Sequence, residues 1–411
     1  MATLGPVVVV AARRSADLVE ALAKAGAFPI IETGFADAAA AIEQIQPAAL
    51  ILTDAEPWPV GPAGASLRKA VETDRAPFMP VLARVSHDGA PVGPHILPIG
   101  ADEPAAQVVA RLRSALRVRA LHATVLRRSA ASEHARALPS GLLDQATVLC
   151  MGRGRSYPAL STAIGERVGL AGALSVETAA RNLNTRDIDG IVIADGFSPE
   201  VVQALLTVLA EDARFRDLPV GMFGSAAFDE TRLPNLIRLC GSPASQVEHF
   251  LPMVELQAFE GHLKRLLKSA DSAGALDPET GLLSGAAFWR DLERAVHQAE
   301  DGGGALSIAR FAFEGVDRRA SIDAARLFSR LVRSIDFACR EQDGAIVAAF
   351  TETDLRSAHV VARRLASVLK HTMLASEQAL KPTVTLATLK PTDNLSTLVA
   401  RVGTYPKVAA S

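Results

Sequence analysis

Apolar positions in the first part of the chain fall in short runs separated by stretches with helical spacing. Val7–Val10 is a run of four valines, and Ala16–Lys24 behind it repeats apolar residues every three to four positions. The alternation continues with apolar runs at Pro29–Glu32, Ala48–Thr53, Met79–Arg84 and Ile96–Ile99. Helical patterns lie at Ala36–Ile45, Ser66–Glu72 and Ala105–Val118. Short, wholly apolar runs suit strands covered on both faces, and strands alternating with helices at this spacing predict a parallel, doubly wound sheet.

Residues 119–143 read as a helical, basic stretch that turns rich in Ala, Ser and Gly, and they are assigned as a linker. A second series of the same kind fills 144–267. Its strands are expected at Ala146–Met151, Ala171–Val176, Gly190–Ala194, Pro219–Phe223 and Leu236–Cys240. Helices are expected at Tyr157–Val168, Ala179–Asn184 and Ser245–Leu267. Each series has an aspartate at the end of its third strand, Asp54 in the first and Asp195 in the second. A short charged linker, 268–275, precedes a third region, 276–411. There the pattern predicts helices at Ala286–Ala299 and Leu355–Leu369, and strands at Leu306–Phe313, Ile346–Phe350 and Thr383–Leu389. Ser321–Cys339 reads as mostly helical.

A chain of 411 residues with 49% apolar content has room for two to four domains, each with a core of its own. The formal net charge of −2, with both signs mixed along the chain, argues against nucleic-acid binding through a basic face, yet leaves room for a local anion pocket. Cys150, Cys240 and Cys339 stand far apart and outside any CxxC pair, so neither a disulfide framework nor a metal site is indicated. In the opening MATLGPVVVVAARR the apolar run precedes the arginines, the reverse of a signal peptide, and no apolar run reaches membrane-spanning length. A cytoplasmic location without membrane insertion is the expectation.

Both βα series resemble the receiver domain of response regulators in their order of elements and in Asp54 and Asp195. In that family an acidic pair after the first strand holds Mg²⁺, and a Ser/Thr and a Lys after the fourth and fifth strands contact the phosphoryl group. Such ligands neutralise the incoming phosphoryl oxygens. Here the first strand is followed by Ala11-Ala12-Arg13-Arg14 in one series and Gly152-Arg153-Gly154-Arg155 in the other. The fifth strands end in Leu97-Pro98-Ile99-Gly100 and Cys240-Gly241-Ser242-Pro243, without lysine. Ser225 alone fits a Ser/Thr position. Asp54 and Asp195 are therefore read either as phosphoacceptors or as strand-end caps, and the missing partners favour caps. Degenerate receivers of this kind imply structural and dimerisation modules.

Leu276-Asp277-Pro278-Glu279-Thr280-Gly281-Leu282-Leu283 resembles the element that opens GGDEF domains, the α/β domains of diguanylate cyclases. The resemblance implies a nucleotide-cyclase-like third domain over 276–411. It also implies acids that hold Mg²⁺ against GTP. At the positions of those acids the first strand carries Arg310 and Ala312, and the signature turn reads Gln342-Asp343-Gly344-Ala345-Ile346. The resemblance therefore implies a domain without cyclase chemistry and without a bound metal or cofactor.

Arg333-Ser334-Ile335-Asp336 stands at the offset before that turn where family members bind their product, and Arg364 matches a third ligand on the next helix. The family thus implies that Arg333, Asp336 and Arg364 bind cyclic di-GMP: arginine can fork onto a guanine edge or pair with phosphate, and a carboxylate can accept from guanine N–H groups. The competing reading is an ordinary surface Arg–Asp pair three residues apart. The implied function is a cyclic di-GMP effector that signals to a protein partner as a homodimer. The alternatives are a scaffold without ligand and a residual cyclase.

Overall fold

The computed structural model describes residues 4–54, 58, 60–73, 75–85, 95–100, 102–128, 141–223, 227–239, 241–270, 275–313, 315–316, 318–372 and 382–403. Ser225 and Cys240 lie outside them, as do 129–140 and 271–274 of the two expected linkers. The chain is mixed α/β, with two parallel sheets followed by one antiparallel sheet.

In the first unit, strands β1 (Val7–Val10), β2 (Ile30–Thr33), β3 (Ala49–Leu52), β4 (Val81–Val85) and β5 (Ile96–Gly100) lie in the order β2-β1-β3-β4-β5. Val8 is in register with Ile31 on one side and Leu50 on the other. The valine run is wholly buried because each face has a cover. Val7 and Val9 pack with Leu18 and Leu22 of α1 (Ala16–Lys24) and Leu112 of α4 (Ala105–Arg128). Val8 and Val10 pack with Ile42 of α2 (Phe35–Ile45) and Leu67 of α3 (Pro62–Glu72). Trp58 packs against this second layer with the Arg68 guanidinium 5.2 Å from its ring centre, an anchor for its loop.

The second unit repeats the plan. After a short helix, α5 (Leu142–Gln145), come β6 (Thr147–Met151), α6 (Ser156–Gly165), β7 (Gly169–Ala173), α7 (Val176–Thr185), β8 (Gly190–Ile193), α8 (Pro199–Glu211), β9 (Val220–Met222), β10 (Leu236–Arg238) and α9 (Pro243–Ala270). The order β10-β9-β8-β6-β7 is the same topology as in the first sheet, again parallel. Helix α8 was not predicted; its Leu205, Leu206 and Leu209 cover one face of the sheet.

The two units are fused through α4 and α9, which share one apolar cluster that reaches both sheets. Arg111 of α4 is wholly buried in this seam. Its guanidinium donates to Pro98 O at 2.6 Å on the first sheet and to Leu236 O at 2.9 Å on the second, and pairs with Glu103 at 2.9 Å.

The third unit runs α10 (Gly285–Gly302), β11 (Leu306–Phe313), α11 (Arg318–Leu331), β12 (Phe337–Arg340), β13 (Ile346–Thr351), α12 (Leu355–Thr372), β14 (Pro382–Thr388) and α13 (Leu395–Ala400). From β11 to β14 this is a β-α-β-β-α-β succession, with antiparallel order β12-β13-β11-β14. One face packs on α10 and α13, the other on α11 and α12.

Three expectations need correction. The helix expected through Cys339 ends at Leu331, and Phe337–Arg340 is a strand. Phe337 and Cys339 face one layer of core while Ala338 faces the other. A short segment buried on both sides carries no period that separates strand from helix. The helix expected to end at Val118 continues as α4 to Arg128, with Leu121 and Val125 buried. Helix α13 was also missed. No helix of the described residues is long and apolar enough to cross a membrane.

Candidate functional site

The third unit opens on a turn that Asp277 organises. Its carboxylate accepts from Glu279 N at 3.1 Å and Thr280 Oγ1 at 2.6 Å, and Gly281 closes the turn at φ +71°. Leu283 beyond the turn bridges to Cys339, so the opening motif is tied to β12.

The hairpin between β12 and β13 carries Gln342-Asp343-Gly344-Ala345. Glu341 N donates to Ala345 O at 2.7 Å and Gly344 N to Glu341 O at 3.0 Å, with Gly344 at φ +88°. A Cβ at Gly344 would come within 2.9 Å of Ser321 Oγ, so glycine is required twice over. Beside this hairpin, Arg310 projects from the central strand β11. Its Nε donates to Glu341 Oε2 at 2.8 Å, and its Nη2 pairs with the Asp343 carboxylate. The Arg310 guanidinium thus lies between the two carboxylates of this hairpin. A cation placed between those acids would meet the Arg310 charge and would have to displace both pairs.

Helix α11 ends at Leu331, so Arg333–Asp336 is not a helical pair. It is a β-turn, closed by Asp336 N donating to Arg333 O at 3.0 Å, that delivers the chain into β12. Arg333 is exposed. Leu331 and Val332 before it share an apolar cluster with Leu365 and Ala366 of α12, the helix that carries exposed Arg364. Arg333 and Arg364 make no salt bridge among the described residues. A shallow concavity of about 380 Å³ runs along the outer face of α12, lined by Val360, Arg363, Arg364, Ser367 and Val368.

Asp336 does not join them at the surface. It is 4% exposed, and its Oδ1 accepts from Thr351 N at 3.0 Å, while Thr351 Oγ1 donates to Ile335 O at 2.9 Å. Burial pushes its carboxyl up to about 7, against the opposing pull of Arg333, the Thr351 N–H and Arg127. Asp336, expected to accept from a guanine edge, is buried here, and its side chain pins the turn to β13 from inside.

Arg127 is a residue that sequence reasoning missed. It lies in the last turn of α4, 4% exposed, with its guanidinium 5.5 Å from the Phe337 ring centre. It donates to Gln298 Oε1 at 2.8 Å, Thr124 Oγ1 at 2.9 Å and Ile335 O at 3.3 Å. Its neighbour Arg128 pairs with buried Asp291 of α10 at 3.4 Å. The end of the first unit's last helix therefore covers the inner side of the Arg333–Asp336 turn. The only advance signal was the run of arginines at the end of an apolar-spaced helix, which reads equally as a solvated face.

Asp54 and Asp195 lie at the carboxyl ends of β3 and β8, beside the loops that follow β1 and β6. Asp54 Oδ2 accepts from Ala12 N at 2.7 Å. Asp195 accepts from Arg155 N at 3.0 Å, from Ser156 N at 3.1 Å and from the Ser156 hydroxyl, so it caps α6 from across the sheet. The Ser156 hydroxyl bond, with the N–H groups behind it, lowers its pKa. Gly154 has no room for a side chain, since a Cβ there would lie 2.1 Å from the Asp195 carboxylate carbon.

No family model and no curated protein matches the chain. Solved structures similar to parts of it include three GGDEF or cyclase structures. One is the coiled coil and GGDEF domain of DgcB from Caulobacter crescentus in complex with c-di-GMP, at 19% identity, 35% of this chain, 84% of that one and TM-score 0.30. Another is the FimX GGDEF domain from Pseudomonas aeruginosa, at 17% identity, 31% of this chain, 89% of that one and TM-score 0.29. The third is the diguanylate cyclase SiaD in complex with its activator SiaC from Pseudomonas aeruginosa, at 16% identity, 35% of this chain, 61% of that one and TM-score 0.31.

Proposed function

We propose that the third unit is a GGDEF-type domain that no longer makes a cyclic dinucleotide, and that the chain is a cyclic di-GMP receptor acting on a protein partner. The observation that carries this reading is the distribution of charge around β11–β13. Among the described residues Arg310 holds Glu341 and Asp343 in ion pairs, so neither acid of that hairpin stands free for Mg²⁺, while Arg333 and Arg364 remain exposed for an anionic ligand. In this reading the arginines take phosphate or guanine edges, and Asp336 acts from behind by fixing the turn that presents Arg333. The two parallel-sheet units act as receiver-like modules that form a homodimer in the cytoplasm, without phosphorylation.

Calorimetric titration of the full chain with cyclic di-GMP tests the reading. Saturable binding is expected, and Arg333→Ala or Arg364→Ala should each weaken it roughly tenfold to a hundredfold, since a charge-assisted bond contributes about 1.5–3 kcal/mol. Incubation with GTP and Mg²⁺ should yield no cyclic dinucleotide; sustained product formation refutes the loss of synthesis. A second reading, a scaffold without ligand, is favoured by the burial of Asp336. It replaces the first if no saturable binding occurs at high micromolar cyclic di-GMP.

A further inference from the structure

Strands β2, β5, β7 and β10 form the edges of the two parallel sheets. β5 and β10 are tied together across the seam by Arg111, which donates to Pro98 O and Leu236 O. β2 carries Glu32, an exposed charge of the kind that keeps a strand edge from pairing. β7, Gly169-Leu170-Ala171-Gly172-Ala173, has neither charge nor proline, and among the described residues it pairs only with β6. Gly169 N donates to Ala146 O at 2.9 Å and Gly152 N to Ala173 O at 3.1 Å, so positions 169, 171 and 173 bond inward to β6. The N–H and C=O groups of Leu170 and Gly172 alternate with these and point out from the edge.

The side chains along this edge are arranged symmetrically. Leu170 and Gly172 share the face that α6 covers: Leu170 Cδ2 lies 3.9 Å from where a Cβ on Gly165 would stand, and the Tyr157 hydroxyl 2.7 Å from where one on Gly172 would. Leu170 is 38% exposed, and Leu174, two positions beyond Gly172, is 59% exposed. A glycine thus stands midway between two exposed leucines. An antiparallel copy centred on Gly172 brings the two glycines opposite each other, where they exchange both backbone bonds. The same register sets Leu170 against Leu174 of the second copy, and Leu174 against its Leu170, so apolar side chains meet on both sides of the axis. One surface serves both copies, and the contact closes as a dimer instead of growing into a filament. We propose that the β7 edge pairs antiparallel with the β7 edge of a second copy of this chain, joining two five-stranded sheets into one. The inference rests on the reading of the chain as a homodimer and names the surface that reading leaves open.

Sedimentation of the full chain over a concentration series measures the dimer. Wild type should dimerise, and Leu174→Lys should weaken the dimer roughly tenfold or more, since it sets a charge against an apolar neighbour on both sides of the axis. Leu170→Glu should do the same from the opposite position. Combined in one chain, Leu170→Glu and Leu174→Lys should restore the dimer toward wild type, because the antiparallel register sets the opposite charges against each other. Leu174 is largely exposed, so its variant should keep the wild-type melting temperature; if Leu170→Glu lowers it, Leu174→Lys alone decides. A dimer indifferent to Leu174→Lys overturns the β7 interface and leaves the homodimer reading to another surface. Wild type that stays monomeric throughout the series overturns both. Weakening by each well-folded single variant without recovery in the pair overturns the antiparallel register.

Discussion

Replacing Asp336 by Asn separates charge from shape at the turn that presents Arg333. The amide oxygen can still accept from Thr351 N, but the group can no longer ionise. In the native chain burial raises the carboxyl from its ordinary 3.8 to about 7. The folded protein therefore keeps a proton that the unfolded chain releases. Between about pH 4 and pH 7 the native state binds more protons, so this group's contribution to stability falls as pH rises and stays low above 7. A shift of three units corresponds to roughly 4 kcal/mol. The group is almost wholly buried, so little of that is lost to solvent screening. Asp291 and Glu352 are also raised by burial and add slopes of the same sign, which cancel in a comparison of wild type with variant. Thermal melts at pH 5 and pH 8 provide the measurement. Asp336→Asn should gain on wild type by several degrees on going from pH 5 to pH 8, whatever constant offset the new amide introduces. If the variant instead loses ground at pH 8, Asp336 is ionised in a favourable pair with Arg127, and the turn is held by charge rather than by a protonated carboxyl.

Arg111→Leu should cost about 3–5 kcal/mol in chemical denaturation, because it leaves the Glu103 carboxylate without its counter-charge and carbonyls of both sheets without that donor. A loss below 1 kcal/mol would show that the α4–α9 seam does not depend on it. Asp195→Ala should remove about 1 kcal/mol of capping from α6, and acetyl phosphate with Mg²⁺ should leave the melting temperature of the wild type unchanged; a Mg²⁺-dependent shift abolished by Asp54→Ala would contradict the capping account. Gly154→Ala should destabilise on its own, and far less in an Asp195→Ala background, since the clash is with that carboxylate; additive losses would place the strain elsewhere.

The sequence by itself determined the order of most elements and the class of each unit. Val7–Val10 and Ala49–Leu52 are apolar at every position because helices cover both faces of their sheet, and that pattern survives in the sequence without knowledge of any partner. Arg310, Asp343 and Gly344 were singled out in the sequence by their places in a strand and a turn, but the ion pair that joins Arg310 to Asp343 was not. What remained hidden was set by contacts between distant segments. Phe337–Arg340 is a strand because β13 pairs with it, and its four residues carry no period of their own. Asp336 looked like a surface ligand from its spacing to Arg333, yet its burial is decided by Thr351 and by Arg127, more than two hundred residues earlier in the chain. Arg111 reaches carbonyls of both parallel sheets only because α4 and α9 pack together. Local spacing fixes which face of an element is apolar; which polar side chains lose their water depends on what docks against them, and only the tertiary structure decides that.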